Sequence, residues 1–199
     1  MNRKEKFKKI LLFALLILLP LISINSNSVN TSTTTKPVMH LVDDNKEKLT
    51  IIIALQEEVS NYISGYYRGC PEIIPKSIVN VGLEQDIDIC FMMAQAEIET
   101  CFGKTGLGRA TSRYSLFGVE FEKYSNYPQA VKRYAELLKK SYLVNGKNEQ
   151  SLLKRYVNKN GNRYAVNPRY EATMRSVYNK IVRNTRIKEL QQKYKKLSN

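Results

Sequence analysis

Glu99 is the residue best placed to do chemistry. It closes a strongly apolar run, FMMAQAEIET (91–100), and stands just before a turn containing Gly103, Gly106 and Gly108. A carboxyl at the end of a buried helix, beside a break in the chain, is partly desolvated. Desolvation disfavours the charged form. Such a group keeps its proton and can donate it to a glycosidic oxygen. Gln95 lies one turn earlier on the same face, whereas Glu97 points roughly 160° away. The plain alternative is a solvated glutamate at a helix C-terminus, a position that the helix dipole disfavours for a negative charge.

Composition removes several other chemistries. The chain has 199 residues, with one histidine (His40), cysteines only at 70, 90 and 101, and no tryptophan. These leave neither a Cys/His zinc cluster nor a C-x-x-C redox pair. A Ser-His-Asp or Cys-His unit would have to use His40, which lies in a polar N-terminal stretch. Carboxylates and the 13 tyrosines must carry the chemistry. Gly103-Lys104-Thr105 resembles the end of a phosphate-binding loop, but the glycine required five residues earlier is Ile98. No metal or cofactor is implied.

The elements that must position Glu99 are helical. Leu49, Ile52, Ile53, Leu55, Val59 and Ile63 form an apolar stripe, which Gly65 and Gly69 end. Residues 70–83, with Pro71 and Pro75, read as a connection with a short helical turn. A second helix is predicted from Leu83 to Thr100, followed by a structured loop over 102–118. Pro128 marks the first turn of another helix, and residues 149–157 make a short one. Asn167-Pro168 predicts the cap and first residue of a last helix carrying Tyr170, Met174, Val177 and Ile181. There is no repeat and no alternating strand pattern.

Residues 1–9 hold five basic side chains, and 10–24 (ILLFALLILLPLISI) are uncharged and almost wholly apolar. This pattern fits a secretory signal. As a helix the apolar core spans roughly 22 Å, short of a membrane's hydrocarbon thickness. A retained signal-anchor, giving a membrane tether through 10–24, is the alternative. The expected division is a signal or anchor over 1–26, a polar linker over 27–46, a domain over 47–183 and a basic tail over 184–199. The expected location is periplasmic, cell-envelope or extracellular. The net charge of +14 suits a polyanionic envelope polymer. No zinc finger or RNP-like motif accompanies that charge, so no nucleic-acid partner is expected.

AQAEIET (94–100), GKTGLGR (103–109), SLFGV (115–119) and YAVNPRY (164–170) together resemble the glucosaminidase family typified by the flagellar FlgJ muramidase domain. The resemblance runs over about residues 47–183. It implies a mostly α, lysozyme-like lobe that cleaves the β-1,4 glycan strand of peptidoglycan. The family's catalytic acid falls on Glu99 and its active-site tyrosine on Tyr164. Phe117 and Gly118 fall where the family lines its cleft, and Gln95 and Tyr170 are further candidates for substrate contact. For Tyr164 and Phe117 the competing reading is aromatic core packing.

Only EFEKYSNYPQ separates Val119 from the next helix, so the family's β-hairpin lobe is shortened or missing. A second carboxylate would have to come from Glu122, or from Glu120. Three functions follow as expectations: hydrolysis, lytic transglycosylation by Glu99 acting as acid and then base, and non-catalytic binding of peptidoglycan through the positive charge.

Overall fold

The computed structural model describes residues 36–106, 112–118 and 123–198, with side chains from residue 44 onward. These residues fall almost entirely in the second of two compact units, Val38–Asn199. The fold is mostly α. Its helices are α1 (Lys36–Tyr66), α2 (Ile73–Glu84), α3 (Ile89–Thr100), α4 (Tyr127–Leu137), α5 (Glu149–Lys154), α6 (Tyr170–Asn184) and α7 (Ile187–Ser198). A π-helical turn, Leu138–Tyr142, extends α4. There is no strand among the described residues, only an isolated antiparallel bridge between Val157 and Arg163. This matches the expected α-helical lysozyme-like lobe.

Helix α3 lies at the centre because no face of it is polar enough for water. From Ile89 to Glu97 every residue is buried, as is Thr100. A helix that is apolar all round has to be enclosed by others, and α2, α6 and α7 pack against it. Its start is set by Asp88, whose side chain accepts from the Cys90 and Phe91 N–H groups. That cap, preceded by Asp86 in a left-handed conformation (φ 50°), places the helix start six residues after Leu83.

Other boundaries also differ from the sequence reading. Residues 73–84 form a full helix, because Pro75 sits in its first turn, where a missing N–H costs nothing. Helix α1 begins at Lys36, within the segment read as a linker, with Pro37 in its first turn. Its core face is Ile51, Leu55, Val59, Tyr62 and Ile63. Pro128 stands in the first turn of α4, as expected, and Asn126 caps that helix. Asn167-Pro168 instead forms a turn ahead of α6, with the Asn167 side chain accepting from the Arg169 N–H.

The segment read as a basic tail is the docked helix α7. Ile187 and Gln191 are buried, and Gln191 both accepts from the Ile89 N–H (3.0 Å) and donates to the Ile87 carbonyl (2.7 Å). Lys188 reaches the Asp88 carboxylate. All three cysteines are free. No helix among the described residues is long and apolar enough to cross a membrane, and residues 10–24 lie outside them.

Candidate active site

Glu99 occupies the last turn of α3, where the helix ends in an unusual reversal. Cys101 (φ 47°), Phe102 (φ 55°) and Gly103 (φ 82°) are consecutively left-handed. Each such non-glycine residue costs about 1 kcal/mol or more. Compensation comes from the Phe102 N–H bonding the Ala96 carbonyl at 3.0 Å and the Cys101 N–H bonding that of Glu97 at 3.0 Å. The Phe102 ring, 1% exposed, packs on Tyr67 with centroids 5.4 Å apart.

Thr100 couples this reversal to the SLFG segment. Its hydroxyl donates to the Leu116 carbonyl (2.6 Å) and accepts from the Gly103 N–H (2.8 Å). Gly118 (φ 64°) is thereby laid against the Glu99 carboxyl: a Cβ there would stand 2.9 Å from Cδ of Glu99 and closer still to Oε2. On the other side Gly106 (φ 93°) packs on the Glu99 carbonyl, leaving no room for a side chain. Gly118 thus lies against the Glu99 carboxyl, while Gly106 lies against the Glu99 main chain.

The remaining wall is aromatic. The Tyr170 hydroxyl donates to Oε1 of Glu99 at 2.5 Å. Tyr164 lies 5.5 Å from Tyr170 between ring centroids, stacks on Tyr156 (4.5 Å, 14°) and donates its hydroxyl to the Phe117 carbonyl at 2.7 Å. Burial pushes the Glu99 carboxyl above its ordinary range, and the Tyr170 hydrogen bond, which favours the charged form, opposes but does not cancel that rise. Burial, reinforced by Tyr164 and Glu99, raises the Tyr170 phenol strongly, so it stays a donor.

Two residues expected at the substrate surface lie in the core instead. Gln95 has no exposed surface; its Oε1 accepts from Tyr134 (2.5 Å) and Tyr156 (2.8 Å). A helix buried on every side encloses the residue one turn below Glu99 along with the rest. Phe117, 2% exposed, stacks flat on Tyr134 at 3.8 Å, so the core-packing alternative describes it. Its backbone carbonyl, rather than its ring, reaches the site through Tyr164. Tyr170 is found on the carboxyl itself and Gly118 beside it.

Glu97 points away, as its spacing requires, accepting from Tyr62 (2.6 Å) and pairing with Lys180. Glu122 and Glu120 lie outside the described residues. The reading of single residues missed Thr100, Tyr134 and Tyr156. Thr100 does follow Glu99 within AQAEIET, but its clamp depends on a partner 16 positions away.

A family model described as mannosyl-glycoprotein endo-beta-N-acetylglucosaminidase matches residues 76–183. No curated protein and no solved structure matches the chain. The matched segment is just over half of the sequence and contains the Glu99 turn, the SLFG segment and both site tyrosines. The chain therefore belongs to the glucosaminidase family, whose domain makes it a glycoside hydrolase acting on peptidoglycan.

Proposed function

We propose that the protein hydrolyses β-1,4 bonds of peptidoglycan glycan strands, as an endo-β-N-acetylglucosaminidase or a muramidase, with Glu99 as general acid. The observation that carries this reading is the half-buried Glu99 carboxyl, held by Tyr170 and flanked by Gly118. Burial raises the Glu99 pKa, which favours the protonated form that can donate as the glycosidic bond breaks. Tyr170 holds Oε1 in place, so the proton is delivered from a fixed position. As the leaving oxygen departs, Glu99 becomes a carboxylate, and the same hydrogen bond stabilises it.

Water attack is then assisted by Glu122, by Tyr164 or by the substrate's 2-acetamido group. No metal or cofactor enters this mechanism. Catalysis is assigned to the helical domain that contains Glu99, Tyr164 and Tyr170, exported by residues 1–26. The apolar stretch 10–24 serves either as a cleaved signal or as a tether, and the place of action is the envelope or its exterior.

The competing enzyme is a lytic transglycosylase, in which Glu99 acts as acid and then base. It is favoured by a described site built on one carboxyl and tyrosines, with Glu97 committed to Tyr62 and Lys180. Glu99→Gln should lower release of soluble wall fragments by roughly 10²–10⁴-fold while wall binding persists. Unchanged release rejects the assignment. Reducing ends on the wild-type fragments indicate hydrolysis, and anhydro-sugars indicate transglycosylation. Binding without any fragments would leave a wall-binding module.

A further inference from the structure

A basic depression lies beside the hairpin-like segment that carries Tyr156 and Tyr164. Lys154, Arg155, Arg163 and Arg175 line it, enclosing about 380 Å³ together with a single carboxylate, Glu171. That carboxylate is already used inside the fold. Its Oε2 accepts from Arg163 at 2.6 Å and its Oε1 from the Tyr156 N–H at 3.1 Å. Burial pushes the Glu171 carboxyl up, but the Glu171 and Tyr156 backbone N–H groups and Arg163 outweigh it and hold the group below its usual range. Arg175 spends one N–H on the Leu153 carbonyl (2.7 Å), which pins the guanidinium. Lys154 and Arg155 are exposed and pair with no carboxylate among the described residues.

The backbone explains why cations gather there. Val157 bridges Arg163, and the Tyr164 N–H donates to the Tyr156 carbonyl at 2.8 Å. Neighbours in extended chain face opposite ways. Tyr156 and Tyr164 turn inward towards Glu99, so Arg155 and Arg163 turn outward, where both are exposed. Guanidinium forks match oxyanions bidentately, and a concave wall of one sign focuses the potential. The depression adjoins the Glu99 site through the chain, since its Glu171 follows Tyr170, which bonds Glu99.

We propose that the depression binds oxyanions of the wall, either phosphodiesters of an attached anionic polymer or carboxylates of the peptide stems, and holds the enzyme beside the strand it cuts. This rests on peptidoglycan as substrate but not on the role of Glu99. The test is co-sedimentation of the full chain with purified walls at low ionic strength, all proteins carrying Glu99→Gln so that the walls stay intact. The triple variant K154Q/R155Q/R175Q should be retained roughly tenfold less well. K154Q/R155Q, which breaks no bond seen in the structure, should show a smaller loss in the same direction.

Equal retention of K154Q/R155Q and its parent overturns the proposal. Repeating the measurement on walls stripped of phosphodiester-linked polymer separates the two sources. A gap that closes identifies phosphodiesters; one that persists identifies stem carboxylates. With Glu99 restored, both variants should cleave a short uncharged oligosaccharide at the parent rate. A loss there as large as on walls also overturns the proposal.

Discussion

The Tyr170 hydroxyl and the Glu99 carboxyl, 71 positions apart in sequence, form a 2.5 Å hydrogen bond at the mouth of the central helix. One partner ends α3 and the other begins α6, two helices that pack on each other. The Glu99 carboxyl is thus positioned by the core.

Tyr170→Phe removes the interaction that favours ionised Glu99, so the Glu99 pKa should rise further. A general acid is active while protonated, and activity falls as pH rises through its pKa. The alkaline limb of the pH–rate profile should therefore move to higher pH. The maximal rate should fall between roughly ten- and a hundredfold, since ionising Glu99 loses a charge-assisted bond. A limb that stays in place would show that another group sets it.

The same shift has a stability consequence. A carboxyl whose folded pKa is raised contributes stability in full below its unfolded pKa of about 4.3, and that contribution is lost as pH rises through the folded value. Glu99→Gln carries no such loss. Thermal unfolding should show the variant gaining on the wild type as pH rises from 4 to 7. An equal gap at both ends of that range would contradict the buried setting of Glu99.

Gly118→Ala should be far more damaging to activity than to folding. The added methyl would displace the Glu99 carboxyl, and a shift of about 1 Å at a reacting group costs around 10²-fold in rate. The left-handed backbone adds about 1–2 kcal/mol of destabilisation. Initial rates on walls and a thermal melt together check both halves.

Thr100→Val keeps the shape but deletes the hydroxyl joining Leu116 to Gly103. Both partners are left unpaired in the interior, a cost of about 1–3 kcal/mol. That corresponds to roughly 2–4 °C in Tm per kcal/mol for a chain of this size. Activity should fall alongside, because Gly118 loses its placement against Glu99.

Asp88→Ala tests whether α7 belongs to the core. Asp88 caps α3, accepts from Tyr178 at 2.9 Å and pairs with Lys188. Its loss should cost about 3 kcal/mol, measured by denaturant unfolding. A change below about 0.5 kcal/mol would mean that this junction contributes little to holding α7.

Much of the site was legible in short stretches of sequence. The apolar run before Glu99, the glycines after it and the order of four motifs pointed to the acid, its class of substrate and a helical fold. Those signals are local: the 3.6-residue period, proline at a helix start and glycine at a turn act through neighbours in the chain.

Tertiary structure decided what spacing could not. Gln95 shares a face with Glu99, yet that face is covered by Tyr134 and Tyr156, which arrive from 39 and 61 positions away. Phe117 turned inward because Tyr134 offers its ring a flat partner. Residues 187–198 read as a charged tail until Ile87 and Ile89 presented backbone groups for Gln191 to satisfy. Sequence alone singled out Glu99 as the candidate proton donor. Its partners come from distant chain, chosen by which buried groups must be covered and bonded once the helices assemble.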